Sequence, residues 1–435
     1  MRTYSMFATF CALVSSSISG AQVSSASSEV LAILSDTDMV PTVYETGELG
    51  PIDSKFRDTL SVTALPIDVS RRPSAIEVSN STNGPPGALD LSGDGRFAYV
   101  AETFRERPPG ATRLAQLPPG NAIRSLHLRD GRPAFVDAIE IGTQPQAIQI
   151  NPSGDLIVAI TVDVDRELAF VPVREGRFGS VARFGLDLPP SSGLIPLKST
   201  WVQWHPSGRY IAVNLVDRAQ VALYEVVRGD DGLVSAVRAW GNRVQTNKFP
   251  FVGRFSPDGR FYVTSDLQWG IDTKGFYGVQ EGILTTIRVA ETGAMADEAR
   301  HTVPHIALGA WASETIAFTP DGRFLVTSNL RGTGKPDGDA DWTDASSVSL
   351  YEMNPQTGRL TSRGEWRFDA ILPQGLAFDR TGSTLFVGVN RYRDEEAGLG
   401  GAVEVWHLLT DGTPRLERTP QRIRVPSGVH TLAVR

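Results

Sequence analysis

The chain has 435 residues, a formal net charge of -7 and 21% charged residues. It is long enough to bury a large core, and its 41% hydrophobic residues exclude an intrinsically disordered protein. The slight excess of acidic residues argues against a nucleic-acid-binding protein, because such proteins normally present a basic surface.

The beginning of the chain has the pattern of a secretory signal peptide. Residues 5–19 are apolar or small, and Ser19-Gly20-Ala21 offers the small residues that a signal peptidase recognises. The single cysteine, Cys11, lies in this segment, so the exported chain would contain no disulfide and no cysteine ligand. We therefore expect a signal peptide at residues 1–21, one domain at residues 22–435, and a periplasmic or extracellular location.

A short segment recurs six times along the rest of the chain. In its clearest copies an apolar strand leads into Pro-Asp-Gly, as at Pro257–Gly259 and Pro320–Gly322, and a second apolar strand follows. Proline fixes φ and glycine supplies the positive φ that such a turn needs, so each unit begins with a β-hairpin. The turn glycines are separated by 59, 54, 51, 63 and 60 residues and are Gly95, Gly154, Gly208, Gly259, Gly322 and Gly382.

A second pair of strands follows each hairpin. Residues 221–226 precede a glycine turn at 229–232, and residues 348–353 precede another at 354–358. Four strands in a unit of about 50 residues are typical of a β-propeller blade. A helical solenoid would require long segments of helical periodicity, and we find none that is convincing. The sequence thus predicts an all-β protein built as a β-propeller.

The two end regions of the chain together predict a seventh blade. Residues 428–434 repeat only the first strand of a unit, whereas residues 30–34, 60–65 and 75–78 look like strands two to four. One blade built from both regions would close the ring and remove the exposed sheet edges of an open array. Eight blades or two separate domains are the alternatives, and the single class of spacings favours seven.

Propeller topology places tight turns and long loops on opposite faces. The Pro-Asp-Gly turns and the outer hairpin turns share one face, here named the tight-turn face, and the remaining connections share the long-loop face. The long loops are residues 105–121, 186–199, 268–282, 331–347 and 391–401. Long loops in a compact domain usually carry function, so we predict the functional site on the long-loop face.

Polar residues should surround the channel on the long-loop face, at the starts of the first strands and the ends of the second strands. Glu314 and His430 come from different blades and could form an acid/base pair, so we predict them as catalytic residues. The predicted substrate-binding residues are Glu102, Gln146, Asp266, Asn329, Arg331, Gln374 and Asn390. A water-filled, hydrogen-bonded channel mouth is the alternative interpretation.

One of the long loops is rich in carboxylates. Asp337, Asp339 and Asp341 occupy alternate positions, and crowded oxygen ligands of this kind suit Ca²⁺. The loop lacks the glycine position and the terminal glutamate of an EF-hand, so a solvated acidic loop is the alternative. Apart from this candidate Ca²⁺ site, the sequence predicts no cofactor.

The repeated Pro-Asp-Gly-Arg-Phe-Leu-Val-Thr-Ser-Asn pattern, a WD40/YVTN-like repeat, resembles the blades of the lactonase-type seven-bladed β-propeller family. That family includes 6-phosphogluconolactonases and cycloisomerases of carboxymuconate. The resemblance extends over residues 30–435 and implies a seven-bladed propeller fold. It also implies a lactone or a sugar acid as the substrate.

The catalytic motif of that family is not preserved in this chain. Family enzymes carry Gly-Pro-Arg-His before a Phe-His-Pro-Asp-Gly turn, and Asn-Glu at the end of the following strand. Residues 204–208 match the turn and Asn214 matches the asparagine. Thr200, Trp201 and Leu215 stand where the family has arginine, histidine and glutamate.

Two hypotheses from different classes follow. In the first, the protein is a secreted lactonase-like hydrolase or isomerase that acts on a lactone or sugar acid at the channel mouth. In the second, it is a non-catalytic scaffold that binds a protein or a carbohydrate through its long-loop face. Neither requires nucleic acid or a membrane span, and we expect a monomer.

Overall fold

The computed structural model describes residues 29–51, 57–80, 86–189, 199–268, 279–393 and 400–435. Its strands form seven sheets arranged in a ring, so the predicted all-β, seven-bladed propeller is confirmed. No helix in these ranges is long and apolar enough to cross a membrane. The predicted signal peptide at residues 1–21 lies outside the described residues, as do parts of the loops at 186–199, 268–282 and 391–401.

The first three strands belong to blade 7, which closes the ring, and blades 1 to 3 follow in chain order. Blade 7 begins with β1 (Val30–Ser35), β2 (Thr59–Ala64) and β3 (Ser74–Glu77). Blade 1 contains β4 (Leu89–Leu91), β5 (Phe97–Ala101), β6 (Ala122–His127) and β7 (Ala134–Glu140). Blade 2 contains β8 (Ala147–Ile150), β9 (Leu156–Ile160), β10 (Leu168–Arg174), β11 (Arg177–Phe178) and β12 (Ala182–Phe184). Blade 3 contains β13 (Trp201–Trp204), β14 (Tyr210–Leu215), β15 (Gln220–Arg228), β16 (Val234–Ala239) and β17 (Val244–Gln245).

Blades 4 to 6 have four strands each, and the last strand of the chain returns to blade 7. Blade 4 contains β18 (Pro250–Phe255), β19 (Phe261–Asp266), β20 (Gly282–Arg288) and β21 (Thr302–Gly309). Blade 5 contains β22 (Ser313–Phe318), β23 (Phe324–Asn329), β24 (Ser346–Met353) and β25 (Leu360–Phe368). Blade 6 contains β26 (Ile371–Phe378), β27 (Thr384–Arg391), β28 (Gly401–Leu409) and β29 (Arg415–Val425). Blade 7 is completed by β30 (Val429–Val434).

The ring closes where the two end regions of the chain meet. Strand β30 pairs antiparallel with β1, with Leu31 opposite Val434. Val30 and Arg435 extend this ladder through two backbone hydrogen bonds of 2.7 and 3.1 Å. The predicted closure is therefore confirmed, and blade 7 gains an innermost strand that the N-terminal region alone does not supply.

The repeated turns form because their side chains hold them closed. In blade 4, Ser256 Oγ accepts a hydrogen bond from the Phe261 N–H and donates to the Asp258 carboxylate. In blade 5, Thr319 Oγ1 makes the same pair of bonds, with Phe324 and Asp321. All six turn glycines have φ between +69° and +77°, a region that other residues rarely adopt.

The hydrophobic core lies between neighbouring blades rather than inside one sheet. For example, Phe170 of blade 2 packs edge-on against Trp204 of blade 3, with ring centroids 6.1 Å apart. Both belong to a buried cluster that continues into blade 4 through Phe251 and Val252. Each blade therefore depends on its neighbours to cover its apolar faces.

Between β1 and β2 the chain leaves blade 7 and crosses the long-loop face. Residues 36–50, here named the strap, contain the short helix α1 (Val43–Thr46). Apolar strap residues pack against Phe104 and Leu117 of blade 1, whereas Tyr44 packs against a cluster from blades 5 and 6 that includes Trp311 and Leu372. The strap therefore spans the channel from one side of the ring to the other. Among the described residues, three short 3₁₀ turns occupy Leu114–Gln116, Arg129–Gly131 and Val216–Arg218.

Candidate functional site

Glu314 lies near the start of β22, at the long-loop end of the channel, and is 1% exposed. Its Oε1 accepts a hydrogen bond of 3.2 Å from Gln374 Nε2, whereas its Oε2 has no hydrogen-bond partner among the described residues. Burial raises the pKa of this carboxyl to about 8. The group therefore keeps its proton at neutral pH and is able to donate it.

Tyr44 brings the strap to the same place. Burial and, to a smaller extent, the nearby charge of Glu314 raise the pKa of the Tyr44 phenol above its usual value. The Gln374 amide close to the Tyr44 hydroxyl counteracts part of this rise in the pKa. A neutral phenol, an amide and a carboxyl thus meet beneath the strap. Sequence analysis missed Tyr44 because the strap lies outside the repeated units and carries no motif.

His430, the other predicted catalytic residue, is also 1% exposed. Its Nε2 lies 2.8 Å from Asn80 Oδ1 and its Nδ1 lies 2.8 Å from Thr431 Oγ1. The Asn80 amide nitrogen donates to two backbone carbonyls, so its oxygen faces the ring and Nε2 carries the proton. Burial lowers the pKa of His430 to about 3, which keeps the ring neutral. His430 and Glu314 thus have separate hydrogen-bond partners, and their acid/base pairing stays a prediction.

Two of the predicted substrate-binding residues are engaged within their own blades. Asp266 accepts hydrogen bonds from Thr264 Oγ1, Thr285 Oγ1 and the Asn247 N–H, at 2.6–3.0 Å. Burial outweighs these bonds and raises its pKa to about 7. Asn329 occupies the equivalent place in blade 5 and bonds through both its oxygen and its nitrogen. Both side chains support strand ends, and their role in substrate binding stays a prediction.

The remaining predicted binding residues have mixed surroundings. Glu102 is buried and accepts from Arg124 at 2.9 Å, and Arg331 donates to Glu365 at 3.1 Å beside the Trp311 ring. Gln146 Nε2 donates to the Gln144 carbonyl, and Asn390 Nδ2 donates to the Met39 carbonyl of the strap. The side-chain oxygens of Gln146, Gln374 and Asn390 are buried without a hydrogen-bond partner among the described residues. The long-loop end of the channel therefore holds several polar atoms that a bound molecule could satisfy.

The acidic loop does not bring its three carboxylates together. Asp337 faces Arg393 at 3.5 Å, Asp339 faces Lys335 at 3.8 Å, and Asp341 accepts from Gln280 at 3.5 Å. In the described ranges, three acidic ligand atoms lie within 4.8 Å of one another at Asp36, Asp38 and Asp58 instead. Those three belong to the base of the strap and to the residues before β2, where Arg107 pairs with Asp38 at 2.8 Å. The Ca²⁺ site predicted in the loop stays a prediction.

The opposite end of the channel is open. A cavity of about 770 Å³, here named the channel cavity, is lined by the innermost strands of all seven blades and by turn residues such as Gly93 and Pro320 of the tight-turn face. It extends inward to Trp201 and Thr431, which directly follow Thr200 and His430 in the chain. The cavity thus extends from the tight-turn face to the chain neighbours of Thr200 and His430.

Arg254 is a cation on the wall of the channel cavity, and the sequence analysis did not select it. Its guanidinium lies over the Trp201 ring at 4.5 Å, and its Nε donates to the Ile316 carbonyl at 3.3 Å. Burial lowers the pKa of Arg254 to about 10, so the group stays charged at neutral pH. A signal was present in the sequence, because the corresponding position of the other units holds aspartate, glutamine or alanine.

The positions that correspond to the family motif have mixed surroundings here, because the buried Thr200 Oγ1 and Trp201 Nε1 have no hydrogen-bond partner among the described residues. Asn214, the one match at those positions, accepts from the Tyr262 hydroxyl at 2.9 Å and donates to the Phe251 carbonyl. Trp201, at the histidine position, is buried under Arg254. That the family's catalytic motif is not preserved in this chain stays a prediction.

Comparison with known proteins gives a family and a set of similar folds. The family model described as "Lactonase, 7-bladed beta-propeller" matches residues 200–394, and no curated protein matches. The periplasmic gluconolactonase of Pseudomonas aeruginosa is 16% identical with a TM-score of 0.61, over 93% of this chain and 98% of that chain. A candidate 6-phosphogluconolactonase from Bacteroides uniformis is 14% identical with a TM-score of 0.59, over 94% and 100%. A functionally unknown protein from Desulfotomaculum acetoxidans is 12% identical with a TM-score of 0.60, over 93% and 98%.

At these identities the solved structures establish the fold, and the family model adds a sequence match. That match begins at the first strand of blade 3 and runs through the first two strands of blade 6. It includes the units in which the Pro-Asp-Gly turns are clearest. The predicted resemblance is confirmed: this chain is similar in sequence and in fold to the lactonase-type seven-bladed β-propeller family.

Proposed function

We propose that the protein is an exported lactonase-like enzyme that opens or rearranges a lactone or a sugar acid inside its central channel. The observation that carries the proposal is Glu314, a protonated carboxyl with one unpartnered oxygen among the polar residues of the channel. A buried carboxyl with a pKa near the working pH suits general acid catalysis. The family match and the gluconolactonase-like fold support a lactone as the substrate.

In hydrolysis, Glu314 would act on the ring oxygen of the lactone. Water adds to the carbonyl carbon, the bond between that carbon and the ring oxygen breaks, and the ring oxygen takes the proton of Glu314. The carboxylate then recovers a proton from the water that attacked, so the carboxyl is regenerated. The neighbouring Tyr44 phenol and Gln374 amide are neutral hydrogen-bonding groups that would orient Glu314 and the substrate.

The substrate would enter from the tight-turn face, because the strap covers the channel on the long-loop face. The channel cavity extends from the tight-turn face to Trp201 and Thr431, whose chain neighbours Thr200 and His430 belong to the same end of the channel as Glu314. This route departs from the expectation that the site opens among the long loops.

The test is a lactonase assay of the full chain with a panel of sugar and aromatic lactones. We expect Glu314→Gln to reduce turnover by about a hundredfold or more, because an amide cannot donate a proton as the ring opens. We also expect the enzymatic rate, corrected for spontaneous hydrolysis, to fall as the pH rises through about 8, where Glu314 loses its proton.

The matched control is Glu225→Gln, which makes the same change on an outer strand where Glu225 pairs with Arg209. It should leave turnover unchanged. If Glu314→Gln kept as much turnover as Glu225→Gln, Glu314 would have no part in the mechanism. Absence of turnover with the whole panel would favour the alternative, a binding scaffold whose long loops hold a protein or a carbohydrate.

A further inference from the structure

The penultimate residue of each innermost strand faces the channel cavity. The chemical nature of this residue differs between two parts of the ring. Blades 1 to 3 carry hydrogen-bond acceptors, blade 4 carries an arginine, and blades 5 to 7 carry alanine. In chain order these residues are Asp90, Gln149, Gln203, Arg254, Ala317, Ala377 and Ala433. The alanine side of the ring leaves the space that makes the cavity large.

The three acceptors link neighbouring blades. Asp90 accepts from the backbone N–H of Ile150 in blade 2 at 2.9 Å. Gln149 and Gln203 accept in the same way from the last residue of the innermost strand in blades 3 and 4. These backbone N–H groups point along the ring because, in an antiparallel ladder, alternate residues direct their hydrogen bonds away from the partner strand.

In blades 5 to 7 the corresponding N–H groups have no such acceptor. The next residue along each strand donates its backbone N–H to the neighbouring strand of its own blade; these residues are Thr319, Asp379 and Arg435. Because alternate residues of a strand direct their N–H groups to opposite sides, the N–H groups just before them point into the cavity. They belong to Phe318, Phe378 and Val434. The preceding blades offer them Arg254, Ala317 and Ala377, which carry no acceptor atom. One side of the cavity is therefore rich in hydrogen-bond donors.

Arg254 lies at the boundary between the two parts and adds a positive charge to the donors. A guanidinium has five N–H donors, and the structure shows one of them, on Nε, bonded to the Ile316 carbonyl. Within the described residues no carboxylate lies at ion-pair distance from Arg254. Asp90, which also lines the cavity, pairs with Arg435 at 3.4 Å. The carboxylates of Glu29 and Asp379, near the opening, already accept from backbone N–H groups.

We propose that the channel cavity is a binding site for a small organic carboxylate, held by the Arg254 guanidinium and by the backbone N–H groups of Phe318 and Phe378. A cavity of about 770 Å³ is the size of a small-molecule site, and the flat Trp201 ring fixes the plane of the guanidinium. The site is separate from Glu314 in its residues, so it stands whether or not Glu314 catalyses a reaction.

The experiment is isothermal titration calorimetry of the full chain with D-gluconate and succinate, and with sorbitol as a neutral comparison. Both carboxylates should bind and sorbitol should not. Arg254→Gln should weaken carboxylate binding by about tenfold or more, since it removes charge-assisted hydrogen bonds. The affinity of Arg254→Lys for the carboxylates should lie between that of the native chain and that of Arg254→Gln, because lysine keeps the charge but lacks the planar guanidinium.

A second variant tests the site without touching the charge. Ala377→Leu places extra volume on the alanine side of the cavity and should abolish carboxylate binding. It keeps the proposal testable if Arg254→Gln does not fold. Arg209→Gln is the matched control, since Arg209 lies in the turn between β13 and β14, outside the cavity lining, and pairs with Glu225 at 2.6 Å; this variant should bind carboxylates as the native chain does. Two results would overturn the proposal. One is carboxylate binding that persists in Ala377→Leu, and the other is that neither D-gluconate nor succinate binds the native chain at millimolar concentration.

Discussion

The two ends of the central channel differ in what covers them and in the charge that they hold. At the long-loop end Glu314 and His430 are buried and the strap crosses the channel, whereas the tight-turn end opens through the channel cavity to Arg254. Burial raises the pKa of Glu314 to about 8 and lowers that of His430 to about 3, so both are neutral at pH 7. Arg254 keeps its charge.

This difference separates proton transfer from anion binding along one channel. A covered, neutral carboxyl can exchange a proton near neutral pH but offers little attraction to a charged molecule. A guanidinium on the wall of an open cavity attracts an anion but cannot exchange a proton in that range. We therefore expect the strap to keep water away from Glu314 and so to determine the chemistry of its end of the channel.

The largest expected effect concerns the proton on Glu314. The folded protein binds this proton up to a pH of about 8, whereas the unfolded chain releases it near 4.5. The folded state therefore loses stability as the pH rises between these values, by up to about 1.4 kcal/mol per pH unit from this group, and no further above 8. In Glu314→Gln this contribution should vanish, so urea denaturation at pH 5 and pH 8 should show a shallower loss than in the native chain.

Other buried carboxyls, such as Asp266, are common to both proteins, so the difference between the two slopes isolates Glu314. Equal slopes in the native chain and in Glu314→Gln would show that Glu314 is solvated and ionised. The distinction between a covered and an open end of the channel would then be lost.

The second effect concerns the strap. Tyr44 is partly buried, and its ring contacts the cluster that contains Trp311 and Leu372. Tyr44→Ala should lower the free energy of unfolding by about 2–3 kcal/mol, somewhat less than the loss of a fully buried aromatic side chain. It should also admit water to Glu314 and reduce the pH dependence described above.

Phe135→Ala is the control for Tyr44→Ala, because Phe135 is an aromatic residue of an outer strand with 60% of its surface exposed. Denaturant titrations of both variants measure the difference. If Tyr44→Ala were no more costly than Phe135→Ala, the strap would be a loosely attached segment, and the neutral state of Glu314 would need another cause.

The fold could be predicted because its signal is local and repeated. A turn such as Pro320–Gly322 specifies a hairpin from a few residues, and six copies with similar spacing leave few architectures. Even the closure of the ring followed from residues 30–34 and 428–434, since each matched a different part of one unit. The same repeat placed Glu314 and His430 at the channel, although not what surrounds them.

The site was harder to predict because its contacts are not local. Tyr44 reaches Glu314 through a segment that has no counterpart in other units, and the two residues are far apart in the chain. The prediction also weighted loop length, which directed attention to the long-loop face. The open cavity depends instead on three alanines, and a small side chain gives no signal until the strands are placed around one axis.

The smallest expected effect tests the division of the ring at the tight-turn end. Ala317 of blade 5 occupies the position from which Gln203 of blade 3 accepts the Phe255 N–H at 2.8 Å. Ala317→Gln would supply the same acceptor to the Phe378 N–H, which points into the cavity, and should raise the free energy of unfolding by about 1 kcal/mol. Ala317→Leu adds similar volume without an acceptor, so denaturant titration should find it less stable than the glutamine variant. Equal stability of the two would mean that the Phe378 N–H is already satisfied, and the donor-rich side of the cavity would lose one of its groups.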